Sequence, residues 1–129
     1  MTTPRLRVEP VGLATRDGDG WRTIWRVANA DPLAVRIVAA VAPHAKFRGE
    51  ASLDREVRAG GSMQFSLVVR VDGSAGTEIE NAFVILLIQQ GDDHWRVLAR
   101  LHVILDDETR PRPRVDSVTV QRVGFSGEL

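Results

Sequence analysis

The 129-residue chain contains no cysteine, which excludes disulfides, thiolate metal centres and cysteine nucleophiles together. It has no tyrosine either, and aromatics make up only 5% of it, so three tryptophans and four phenylalanines must anchor whatever core forms. An excess of one charge is also missing. Seventeen basic residues balance seventeen acidic ones, so no global field recruits nucleic acid or an anionic membrane. The longest apolar run, Ala82–Ile88, has seven residues, whereas a helix needs roughly 20 to span a bilayer. The opening Met1–Val8 holds no apolar stretch of signal-peptide length. Together with the absent disulfides, this sets the expectation of a cytoplasmic protein. Lysine is almost absent, with Lys46 standing against sixteen arginines, a bias that fits a GC-rich bacterial genome rather than a function.

What the chain does have is alternation. Trp21, Thr23, Trp25 and Val27 face one way while Arg22 and Arg26 face the other. The same period of two returns in Met63-Phe65-Leu67-Val69-Val71 and in Trp95-Val97-Ala99-Leu101-Val103-Leu105. It places alternate side chains on opposite faces of a strand. Further strands are expected over 6–13, with Pro10 marking an edge, and over 33–41, with Leu33, Val35, Ile37, Ala39 and Val41 inward. Ala82–Gln90 is apolar on both faces, as expected of a central strand covered on both sides. Arg16-Asp-Gly-Asp-Gly20, Ala59–Ser62 and Gly91–His94 read as turns. Pro43–Val57 is the least regular stretch: Phe47 anchors a short strand, and Ser52–Val57 reads as a strand or a single helical turn.

These signals imply an all-β domain, an immunoglobulin-like Greek-key β-sandwich of seven to eight strands over residues 1–105. A charged, proline-spaced linker over 106–114 and an additional edge strand and tail over 115–129 follow. The last segment either extends the same sandwich or serves an assembly contact.

Trp25-Arg-Val-Ala-Asn29, Pro32-Leu33 and Ala59-Gly-Gly-Ser62-Met-Gln-Phe65-Ser-Leu-Val together resemble bacterial immunoglobulin-like modules of the adhesion and CARDB-like kind. Those modules carry a hydrophobic strand ending in Asn, a short loop, another hydrophobic strand, and later a Gly-Ser turn opening a second-sheet strand. The resemblance covers about residues 6–105. It implies a sandwich that serves as a spacer, interaction domain or adhesion unit. It carries over no functional residue, because the shared positions are structural, and the cysteine pair and tyrosine corner of antibody-type domains are absent.

Chemistry is thinly represented. His94 and His102 are eight residues apart, roughly 26 Å along an extended strand, and cannot share a metal. His44 alone is not a site. Asp17-Gly-Asp19-Gly20 starts like a calcium loop but lacks the third ligand and the terminal acid. No Gly-x-Ser-x-Gly elbow and no phosphate-cradling glycine loop is present. An enzyme is therefore not expected, nor is a cofactor. Trp21, Trp25 and Trp95 occupy core-facing positions, although Trp21 and Trp95 each follow a turn where a sugar ring would stack.

One distribution does point to function. Arg22, Arg26, Arg36, Arg70, Arg96 and Arg100 lie opposite the apolar faces of their strands, while most acids fall in turns. Arginine stems cover an outer sheet surface with the guanidinium kept wet. The same arrangement equips Arg22, Arg26, Arg70, Arg96 and Arg100 to dock an acidic partner or another subunit. The expectation is a non-catalytic protein-interaction or assembly module of a bacterial protein. Its partner is a protein or a second copy, with no nucleic acid, membrane or small molecule. Carbohydrate or calcium binding at loop tips is the alternative.

Overall fold

The computed structural model describes residues 3–123. Eight antiparallel strands account for nearly all of them: β1 (Leu6–Asp17), β2 (Gly20–Asn29), β3 (Val35–His44), β4 (Phe47–Val57), β5 (Ser62–Val71), β6 (Glu78–Gln90), β7 (Asp93–Leu105) and β8 (Pro111–Arg122). No helix occurs among the described residues, so none is long and apolar enough to cross a membrane. The strand order β1-β2-β5-β4-β3-β6-β7-β8 curls into a nearly closed, barrel-like sheet whose end strands β1 and β8 lie side by side.

Alternation builds the core. Trp21, Thr23, Trp25 and Val27 of β2, Phe65, Leu67 and Val69 of β5, and the six odd positions from Trp95 to Leu105 of β7 are all buried. Trp25 is wholly enclosed, and its indole N–H donates to Thr23 Oγ1 at 2.7 Å. That hydroxyl donates in turn to the Leu67 carbonyl at 2.7 Å, so the polar hydrogens of Trp25 and Thr23 are both satisfied.

Where strands bend around the core, the alternation slips. On β3 the inward set is Val35, Ile37, Ala40 and Ala42, not the uninterrupted odd series, and Leu33 is 60% exposed. The cause is a bulge. Ile37 pairs with Ile88 but Ala39 with Leu87, so Val38 is an extra residue against β6. One inserted residue reverses every face beyond it. Asp54 on β4 and Asn81 on β6 mark similar bulges with positive φ, 52° and 58°.

The irregular stretch 43–57 resolves into the end of β3, a two-residue turn and the full strand β4, with Phe47 buried and no helical turn at 52–57. β4 meets β5 through only two pairs, Phe47↔Val71 and Arg48↔Arg70. At the next residue, Gly49, any Cβ would lie 2.2 Å from the Val68 carbonyl oxygen, so glycine is required where the two backbones cross. The sheet thus falls into a three-strand group, β1-β2-β5, and a five-strand group, β4-β3-β6-β7-β8, sharing one core.

Asn29, at the end of β2, ties these groups together. Its buried Nδ2 donates to the carbonyls of Leu33 (2.9 Å), Val57 (3.1 Å) and Arg58 (3.3 Å), and its Oδ1 accepts from the Asp31 amide at 2.9 Å. Its backbone also bonds Gly60 and Gly61. One side chain therefore holds the β2–β3 crossover against the β4–β5 turn.

Residues 106–110 form a tight turn and β8 is laddered to β7 from Pro111 onward, so the expected linker is a turn followed by the first residues of a strand. The Asp106 carboxylate organises the turn by accepting from the amides of Glu108 and Arg110, each at 2.9 Å, and from Arg112 Nε at 3.3 Å. Partial desolvation opposes ionisation of this group. The two amides, Arg112 and the Arg110 charge outweigh it and hold the pKa below the ordinary carboxylate range.

Two outcomes follow from these contacts. Asn29→Ala strands several buried carbonyls and the Asp31 amide, and urea denaturation should register a loss of about 2–3 kcal/mol. For Asp106 the depressed pKa means stability present above the unfolded value and lost as the pH falls through the folded one. The stability advantage of wild type over Asp106→Asn, read from melting temperatures, should be full near neutrality. It should shrink as the pH drops below about 3.9; a gap that widens on acidification contradicts the assignment.

Candidate interaction surface

The outer face of β3, β6 and β7 is apolar although nothing among the described residues covers it. The register stacks Ala39 beside Leu87 and Arg96, Val41 beside Ile85 and Leu98, and Phe83 beside Arg100. Val41, Phe83, Ile85 and Leu98 are half-buried by their neighbours alone, and Leu87 and the bulged Val38 are exposed. A central strand apolar on both faces is expected to be covered on both. β6 is central, yet only its Ile79, Ala82, Val84, Leu86 and Ile88 face the core. The other face is open because no further layer of the described chain packs over it.

Charged residues rim this stripe. Arg96 and Arg100 are exposed on β7 and make no ion pair among the described residues. On the opposite flank β4 carries Glu50, in register with Val41, and Glu56, in register with Arg36. Neither glutamate is ion-paired among the described residues, since Arg36 bonds Asp54 at 2.8 Å instead.

The five arginines read from the sequence divide into two sets. Arg22, Arg26 and Arg70 are exposed on β2 and β5 in the three-strand group, with Arg22 opposite Val68 and Arg26 opposite Gln64. Arg22 bonds Asp17 and Ser66 Oγ, Arg26 reaches Ser62 Oγ at 3.5 Å, and Arg70 lies 3.8 Å from Asp19. Arg22 and Arg70 therefore meet acids within the chain, while Arg26 meets only a serine hydroxyl. Arg96 and Arg100 belong to the five-strand group, as does His102, which bonds Glu78 Oε1 at 2.9 Å. Glu50 and Glu56 escaped sequence reasoning because β4 lay in the stretch without a clear period. Phe83, Ile85 and Leu87 are apolar in sequence and predict a covered face, which the described residues leave open.

Other chemistry finds little geometry. No group of three or more potential metal-ligating side chains occurs among the described residues. Asp17 and Asp19 line a cleft with Arg48, Glu50 and Arg70, where Asp17 is already bonded to Arg22 and Asp19 lies 3.8 Å from Arg70. Trp25 is wholly buried, and Trp21 and Trp95 are each 5% exposed. Trp21 is flanked by Arg16 at 4.9 Å and Arg110 at 5.4 Å from its ring centre, so cations already occupy the ring faces.

Millimolar calcium should accordingly leave the melting temperature unchanged, and soluble oligosaccharides should leave tryptophan fluorescence unchanged. A ligand-dependent rise in melting temperature would revive the loop-tip alternative. No protein-family model and no curated protein matches this chain.

Proposed function

We propose that the protein is a non-catalytic interaction or assembly module of a bacterial protein, built as an elaborated immunoglobulin-like Greek-key sandwich. Support for the sandwich comes from the split into β1-β2-β5 and β4-β3-β6-β7-β8, linked by just two residue pairs. Asn29 adds to it, because the strand-ending asparagine of the resemblance serves here as the tie between the two groups. On this reading β8 is the appended strand beside β7.

The observation that carries the functional reading is the uncovered apolar stripe on β3, β6 and β7. Buried apolar area drives association as it drives folding, and a contiguous exposed stripe with a polar rim marks a docking surface. The edge of β8, which lies beside β1 without a ladder, is a weaker place for a partner. Pro111 and Pro113 lack donors, a bulge at Asp116 breaks the register, and Arg112, Arg114 and Arg122 flank the strand. These are devices that blunt edges. The interaction therefore uses a sheet face, with Arg96 and Arg100 as the arginines that take part.

A photo-crosslinking benzoylphenylalanine placed at position 87, in cells that make the protein, should yield a discrete protein adduct. The same group at position 13, exposed on β1, should not. Equal labelling at both positions, or none at 87, removes the docking face from consideration.

A further inference from the structure

We propose that the occupant of this face is a second copy of the chain, related by a twofold axis running along the strands between β3 and β6. The inference rests on the docking-face reading and names its partner. Its basis is the order of residues in one cross-strand row: Glu50 on β4, Val41 on β3, Ile85 on β6 and Leu98 on β7. Read from either end, that row has an apolar pair at its centre, an acid at one end, and at the other a leucine flanked along β7 by Arg96 and Arg100.

A rotation about the stated axis keeps the height along the strands and exchanges the two ends. It lays β3 of each copy over β6 of the other, so that Val41 meets Ile85 twice. It lays β4 over β7, so that Glu50 descends onto Leu98 between Arg96 and Arg100 of the second copy. Those guanidiniums start two residues either side of Leu98, about 7 Å along the strand, within reach of one shared carboxylate. A twofold interface must be self-complementary, each patch meeting its own copy. Glu50 lies on one flank of this face and Arg96 and Arg100 on the other, so the rotation brings each onto its opposite charge in the second copy. An unrelated acidic partner would meet Glu50 and Glu56 as well as the arginines. The same rotation lays Arg48, which forms no ion pair among the described residues, over Arg100 of the second copy, a repulsion that weakens the contact.

The face also sets the strength. Four strands about 4.8 Å apart and about 33 Å long offer roughly 600 Å² per copy. That lies below the roughly 800 Å² per partner of a standard stable interface, so the dimer is reversible and depends on concentration.

Sedimentation equilibrium of the full chain at low salt is the test, with circular dichroism confirming that each variant folds. Wild type should dimerise reversibly and weaken with salt. Glu50→Arg, which sets three cations together, should raise the dissociation constant at least about tenfold. Arg96→Glu with Arg100→Glu, which sets three acids together, should do the same. Combining all three changes in one chain swaps the flanks and should recover most of the wild-type affinity, which no misfolded variant would do. A wild-type chain that stays monomeric to about millimolar concentration overturns the twofold, as does a folded triple variant that fails to recover. If the chain is monomeric but the probe at position 87 still captures a protein of another mass, the twofold fails and the docking face stands. If that probe captures nothing, both fail.

Discussion

The amide of Asn29 bears on more of this structure than any other single polar group. The chain leaves the three-strand group at the end of β2 and enters the five-strand group at β3, and nothing in the ladder spans that step. The ladder between the two groups is otherwise limited to two residue pairs of β4 and β5. Asn29 closes the gap by donating to carbonyls on both loops while its own carbonyl oxygen holds Asp31. Because these groups are buried, each bond is costly to lose. The apolar core gives the halves a reason to associate, and Asn29 sets the alignment in which they do.

Around that alignment the strands of ten to thirteen residues are too long to stay regular while they curve. Bulges at Val38, Asp54, Asn81 and Asp116, and the break after Val11, take up the curvature. They also decide which residues face solvent. Val38 is pushed outward, and the residues that follow it on β3 switch faces, so that Ala39 and Val41 join Phe83, Ile85, Leu87 and Leu98 outside. The surface best suited to a partner is thus a by-product of how the core is closed.

The edges and the face of the sheet are treated in opposite ways. β1 and β8 approach one another without a ladder, and prolines at 10 and 113 stand along that seam. One end of the seam is closed by Arg16 and Arg110 over Trp21 and by the Asp106 turn. Backbone donors and acceptors at the edges are shielded by proline, bulge and charge, while apolar side chains on the face are left open. A protein arranged this way resists strand-by-strand aggregation and still has a surface to offer.

The all-β class, the buried tryptophans and the strands β2, β5 and β7 were legible in the sequence. A strand with one buried and one wet face writes that difference into every second residue, and these three run without interruption across their central parts. β4 was not legible, because its glycine, its positive-φ aspartate and its exposed charges obey contacts with β3 and β5 rather than a local period. Among the candidate residues, Arg96 and Arg100 could be placed on an outer face, but whether an acid already neutralised them depends on residues distant in sequence. The amino-acid order by itself determined which side chains seek the core. Only the tertiary structure decided that no described residue covers the second face of β6, and that Glu50 lies across from the arginines, since both depend on strand order and on bulges that count residues in pairs of strands.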